Sequence, residues 1–297
     1  MQKPRIIVIA GTNASGKSSL GVELARKYGG EIVSADSRQV FEGLDLGSGK
    51  ITAAETRGVP HHLLDVQTPG EFFSMADFQR LAYEAIDGIL RRGRLPFLVG
   101  GTGLYIASVA DGYVLSGQPP DLAYRAELEK RSTEELYDEL VKRLPDVQVD
   151  RHNRNRVMRV LERLQVNGYH PPLKESRYRA LRLGVAWERE ALAKRIEERL
   201  RRRLAEGMVQ EVRGLLDAGV SREFLLGLGL EYRMITQYLT GAIKSEEEMA
   251  ALLLIAIRQF AKRQMTWFRR DKEIHWLDMA GDPVGEAARL IDAFLTA

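Results

Sequence analysis

Gly11-Thr12-Asn13-Ala14-Ser15-Gly16-Lys17-Ser18 fits the pattern G-x-x-x-x-G-K-[ST], and no other stretch limits the possible folds of this chain as tightly. The glycines let the backbone curl until several N–H groups converge on one anion, a following helix presents its positive end, and Lys17 adds a full charge. Such a loop needs a strand before it and a helix after it. Both are readable: Arg5 to Ala10 is apolar and β-branched, and Lys17 to Tyr28 carries Leu20, Leu24 and Ala25 at helical spacing. The loop therefore predicts binding of a diphosphate through Gly11 to Ser18, with the Ser18 hydroxyl placed to ligate magnesium. It leaves open whether the phosphate belongs to a nucleotide or to another leaving group.

The first part of the chain continues the alternation. Glu31 to Ala35 and Leu95 to Val99 read as buried strands, Met75 to Leu90 as a helix with Phe78, Leu81, Ala82 and Ile86 on one side, and a further helix starts after Gly103. This order predicts an α/β fold, a parallel sheet flanked by helices. The pattern breaks at Ser116-Gly117-Gln118-Pro119-Pro120, only helical patterns follow to about Gly168, and His170-Pro171-Pro172 marks a second hinge. Leu181 to Ala186 then reads as a strand returning to the sheet. The expected organisation is a discontinuous core, 1–117 with 178–297, interrupted by an all-helical insertion, 118–177. Beyond it, Glu188 to Glu206 is a long amphipathic helix with Arg195, Arg199, Arg202 and Arg203 along one face. A last long helix places Leu254, Ile257, Ala261 and Met265 inward and Arg258, Lys262 and Arg269 on another face.

Composition narrows the function classes. The longest apolar run, Met249 to Ile257, is far too short to cross a bilayer, so no membrane association and a cytoplasmic location are expected. The absence of cysteine removes disulfides, thiolate metal sites and a cysteine nucleophile together. The net charge is only +3, yet Asp150 to Arg203 holds 16 Lys/Arg against 7 Asp/Glu, and Ile257 to Lys272 holds 6 against 1. Two basic blocks on a near-neutral chain suggest a polyanionic partner, although solvated helix faces would look the same.

Asp36 follows the second strand candidate, on the rim that it shares with the phosphate loop in a parallel sheet, where a carboxylate can act as general base or metal ligand, or simply close a turn. Gly100-Gly101-Thr102-Gly103-Leu104-Tyr105 reaches the same rim; its glycines permit close approach to a substrate, and Thr102 offers a hydroxyl. No strand candidate apart from the one before Asp36 ends in an isolated acidic residue, which argues against a motor-type ATPase. His61 and His62 read as a turn leading into Leu63-Leu64, and Trp267 and Phe268 as core aromatics or, with Lys262, Arg263 and Arg269, part of a nucleic-acid surface.

Taken in order, GTNASGKS, SADSRQVFEGLDLGSGK, PHHLLDV, GGTGLY, RIEERL and RQFAKRQMTWF resemble the tRNA dimethylallyltransferases, over nearly the whole chain. The resemblance implies a P-loop NTPase-like core and transfer of a dimethylallyl group from its diphosphate to N6 of the adenosine 3′-adjacent to a tRNA anticodon. It implies that Lys17, magnesium on Ser18 and Arg199 stabilise the departing diphosphate, that Asp36 accepts the N6 proton and that Thr102 positions the reacting centre. It also implies tRNA contacts through Asp36, Ser37, Arg38, Gln39, Thr102, Arg125, Asn155, Arg156, Val157, Met158 and Arg159. The partners implied are dimethylallyl diphosphate and a tRNA anticodon stem-loop, with Mg2+ as cofactor, and the chain is expected to work as a monomer. Two places depart from the family pattern: Asn153-Arg154-Asn155-Arg156 lacks the usual Asn-Pro, and Gly229-Leu230-Glu231-Tyr232 replaces the usual Gly-Tyr pair, leaving that loop without an assigned role. The rival readings are a P-loop kinase for a small metabolite, a prenyltransferase for free nucleotides and a noncatalytic RNA-binding ATP switch.

Overall fold

The computed structural model describes residues 3–115, 121–166 and 173–297. Six parallel strands, β1 (Arg5–Gly11), β2 (Glu31–Ala35), β3 (His61–His62), β4 (Pro96–Gly100), β5 (Arg179–Ala186) and β6 (Ile274–Asp278), form one sheet in the order β3-β2-β4-β1-β5-β6. The period of two along β1 explains its central place. Ile6, Val8 and Ala10 enter the core on one face, with the helix Met75–Arg91, while Ile7 and Ile9 enter the other, with the helix Lys17–Lys27. A strand covered on both faces has no polar side, so it reads as an unbroken apolar run.

Parallel pairing puts every strand's carboxyl end on one rim. Gly11, Ala35, Gly100 and Ala186 end their strands there, and the segments leaving them carry the phosphate loop, Asp36, Thr102 and Trp187. A third apolar cluster lies among the later helices, where Ile196 and Leu200 of Arg189–Ala205 meet Leu253, Ile257 and Ala261 of Glu246–Phe268.

The chain divides into two compact units, residues 1–113 with 175–297, and 114–174. The larger unit closes on itself where the chain leaves and re-enters, since Glu175 N–H donates to Gly112 O at 2.7 Å. The smaller unit contains the helices Leu122–Glu129, Thr133–Arg143 and Arg154–Val166 around Leu128, Leu136, Leu140, Val157 and Leu161. The two hinges read at Ser116–Pro120 and His170–Pro172 fall outside the described residues.

Four sequence expectations change. His61 and His62 form the edge strand β3 rather than a turn; the His62 Nε2 lies 2.7 Å from Glu31 Oε2. β6 had no visible signal, and it ends in Asp278, so Asp36 does not follow the only strand that terminates in acid; the Asp278 carboxylate turns back to accept Ala280 N–H at 3.0 Å. On Glu246–Phe268 the inward stripe is Leu253, Ile257, Ala261, Gln264 and Phe268, while Leu254 and Met265 are only half-buried. A polar Gln264 at an inward position hid that face from an apolar count. Trp267 is 36% exposed rather than in the core, and Phe268 is buried.

Candidate active site

The phosphate loop is shaped by contacts that precede any ligand. Gly16 adopts φ 87° as the helix Lys17–Lys27 begins, a left-handed conformation that favours glycine. Gly11 is needed for packing: a Cβ there would lie 2.3 Å from Val185 Cγ2 on β5. Four loop carbonyls are held by side chains, Asn13 O by the Thr12 hydroxyl at 3.3 Å. Ser15 Oγ and Lys17 Nζ both donate to Thr12 O, at 2.8 and 3.3 Å, the Trp187 indole donates to Ser15 O at 2.8 Å, and Arg195 Nε donates to Ala14 O at 3.1 Å.

Opposite the loop stands the basic face of the helix Arg189–Ala205. Ala14 to Ser19, Gly49, Ile51, Arg195, Arg199 and Arg202, together with the carboxylates Glu55 and Glu198, line a cavity of about 430 Å³. The spacing of those arginines, read first as one face of a helix, thus delivers them to the anion cradle, so this part of the basic block serves the phosphate loop. Burial, and then the charge of Arg199, lowers the Lys17 pKa to about 8. Burial, and then Arg203, likewise pushes Arg199 down from its ordinary value. Cations held this close repel one another, and an anion between them relieves that repulsion. Gly49, at φ 65°, makes room for them, because a Cβ there would fall 2.3 Å from Arg199 Nη2 and closer still to Arg203.

A second, much smaller cavity adjoins the first through shared walls at Lys17, Ser18 and Ile51, and Asp36 lines it. Asp36 is 8% exposed, and its Oδ1 accepts Arg38 N–H at 3.0 Å. That bond closes a turn and fixes the carboxylate, leaving Oδ2 available to a substrate, so the structural and chemical readings of Asp36 coexist. Thr102 spends its hydroxyl on the same turn: Oγ1 accepts Ser37 N–H at 3.1 Å, and Thr102 N–H donates to Ala35 O at 3.1 Å. Gln39 bridges inward, accepting from Ser34 Oγ at 2.9 Å and donating to Gly49 O at 3.2 Å.

Magnesium suits this donor set. The Ser18 hydroxyl offers a hard oxygen ligand on the wall between the two cavities, and no cluster of three His, Cys, Asp or Glu capable of holding a metal occurs among the described residues. A dication here would have to complete its shell with diphosphate oxygens and water, which is how magnesium commonly binds.

The segments expected to touch tRNA divide sharply. Arg38 is buried, with Nη1 2.6 Å from Glu231 Oε2, and is therefore not free to meet a phosphate. Val157 and Met158 are 0% and 3% exposed in the core of the smaller unit, because the apolar stripe of their helix must pack inward. Arg125 and Arg159 are half-buried, each 3.1 Å from the buried Glu162. Asn155 and Arg156 remain exposed.

Gly229–Tyr232, read as a loop, is instead the start of the helix Leu230–Leu239, and it gains a role that sequence reasoning missed. Glu231 is 2% exposed and holds Arg38, while the Tyr232 hydroxyl donates to Glu211 at 3.0 Å. Glu211 in turn accepts Leu46 and Gly47 N–H at 2.5 and 3.0 Å. This helix start therefore braces the segment that follows Asp36 up to Gly49. An acid beside a buried tyrosine was the available signal, but its partner lies 193 residues away.

A phosphate loop facing an arginine helix, beside a fixed carboxylate on the rim of a parallel sheet, defines a P-loop-like α/β enzyme. Residues 39–271 match the sequence model of the family described as IPP transferase. A tRNA dimethylallyltransferase 2 of Shewanella sediminis is 45% identical over 98% of this chain and 99% of its own length, and one of Syntrophotalea carbinolica is 45% identical over 94% and 96%. Among solved structures, the tRNA isopentenylpyrophosphate transferase of Bacillus halodurans matches with TM-score 0.76 at 38% identity, covering 98% of this chain and 96% of that one. A eukaryotic dimethylallyltransferase acting on tRNA matches with TM-score 0.81 at 25% identity, over 99% of this chain and 80% of that one. The chain belongs to the IPP transferase family.

Proposed function

We propose that this chain transfers a dimethylallyl group from dimethylallyl diphosphate to N6 of the adenosine 3′-adjacent to the anticodon of tRNA, releasing diphosphate. The observation that supports the reading is the wall at Lys17 and Ser18 shared by the two cavities, since a leaving anion in the larger would lie directly beside Asp36 in the smaller.

In this mechanism the diphosphate lies in the larger cavity, against the loop N–H groups, Lys17 and Arg199. The allylic C–O bond breaks with its electron pair going to the diphosphate, and the cations stabilise the charge that develops there. The adenine N6 forms the new N–C bond, and Asp36 takes the N6 proton. Thr102, through Ser37, keeps Asp36 from turning away. Magnesium, when bound at Ser18, would neutralise part of the diphosphate charge. An adenosine stacked in a loop must leave its stack to reach the rim, at a cost of about a few kcal/mol. Exposed basic residues such as Arg156 supply contacts to the RNA backbone that offset it. Among the described residues no helix is long and apolar enough to cross a membrane, and a cytoplasmic monomer fits a tRNA substrate.

The test incubates the protein with dimethylallyl diphosphate, magnesium and an anticodon stem-loop, followed by mass spectrometry of the digested RNA. Prenylated adenosine is expected. Its absence, together with phosphoryl transfer from ATP to a small acceptor, would replace this reading with that of a kinase.

A further inference from the structure

Gln264 is a polar side chain on the apolar face of the helix Glu246–Phe268, 7% exposed, and both ends of its amide are engaged. Its Oε1 accepts Asn13 N–H of the phosphate loop at 3.0 Å, and its Nε2 donates to Gly101 O at 2.9 Å. These two loops leave different strands, β1 and β4. The Gly101 side leads on to the base: Thr102 follows it, and the Thr102 hydroxyl holds Ser37 N–H next to Asp36. Gly101 must lack a side chain for this, since a Cβ there would sit 2.9 Å from Gln264 Nε2.

We infer that Gln264 is a positioning residue that fixes the diphosphate cradle relative to Asp36. This rests on the proposed prenyl transfer and names a further residue for it. The chemistry of the amide is what the position demands. One terminus must accept and the other must donate, and among the common side chains of this length only glutamine does both without a charge. Leucine would fill similar space and satisfy neither loop. Glutamate would keep the acceptor for Asn13 but set an anion against the Gly101 carbonyl, until protonation restores a donor. Substrate binding depends on each cavity separately, whereas the chemical step depends on the distance between them, and small displacements there are costly in rate.

The experiment compares wild type with Gln264→Leu and Gln264→Glu, measuring kcat, the Kd for inorganic diphosphate and the Kd for the stem-loop. Both variants should lose about 30-fold or more in kcat at pH 8 while each Kd changes by less than about threefold. The ratio of the Gln264→Glu rate to the wild-type rate should rise as pH falls from about 8 to 6, because burial raises the pKa of the new carboxyl and its protonated form donates. Taking the ratio removes the titration of groups common to both proteins. A wild type without product defeats the functional reading rather than this one. With an active wild type, unchanged kcat in both variants, or equal losses in kcat and in both affinities, would overturn the positioning role. If the leucine variant does not fold, the pH dependence of the glutamate ratio decides: a flat ratio overturns the inference.

Discussion

Lys17 lines both cavities and Asp36 only the smaller, so the proposed chemistry separates binding from turnover. Asp36→Asn keeps the Oδ1 that accepts Arg38 N–H and loses the base. Diphosphate and stem-loop affinities should therefore hold, while turnover falls by about 10²- to 10⁴-fold; single-turnover kinetics with saturating RNA measure it. Lys17 gives a pH dependence of known sign. Its pKa is lowered to about 8 in the free protein, and a bound diphosphate must raise it. Below about pH 8 the ammonium is already charged, so this group leaves affinity flat. Above that value binding must also take up a proton, and affinity for inorganic diphosphate should fall by up to about tenfold per pH unit, until the pKa of the complex is passed. Calorimetry in buffers of different ionisation enthalpy would detect the proton uptake. Both residues were readable from the sequence because their positions after β1 and β2 are set by local chain order.

At the scale of elements, the Arg189–Ala205 helix shows what periodicity can and cannot supply. The spacing of Arg195, Arg199, Arg202 and Arg203 put them on one face, but a face has no direction until the helix is packed. Ile196 and Leu200 decide it by burying against the helix Glu246–Phe268, which turns Arg195, Arg199 and Arg202 to the phosphate loop. Arg203 is carried so far inward that its Nη2 has no hydrogen-bond partner. Glu231, on the helix Leu230–Leu239, then supplies the carboxylate for this crowded group and for Arg38. Glu231→Ala would leave buried guanidinium charge uncompensated, so a loss of about 3–5 kcal/mol in folding free energy is expected. Urea unfolding at fixed pH checks it, and an effect under about 1 kcal/mol would mean that water reaches these arginines.

For the whole molecule, the interruption of the core is topologically separable. Gly112 and Glu175 are hydrogen-bonded across the excursion, and the six strands all belong to the larger unit. Replacing residues 114–174 by a short Gly/Ser linker should leave a folded core that binds inorganic diphosphate as the full chain does, yet loses most affinity for the stem-loop. Circular dichroism and fluorescence anisotropy with labelled RNA would measure the two effects. Retained RNA affinity would move the main tRNA contacts to the core. The sequence by itself determined the parts of this protein governed by short-range rules: the phosphate loop between its strand and helix, the buried strand β2 and, to within one residue, β4, and the acid on the rim. Backbone geometry and side-chain period act over a few residues, so they can be read along the chain. Tertiary structure alone decided which way each polar group faces. Gln264 joins two loops, Arg38 turns to an acid far along the chain, and Val157 and Met158 go inward, because each of these outcomes depends on partners brought together only when the helices pack.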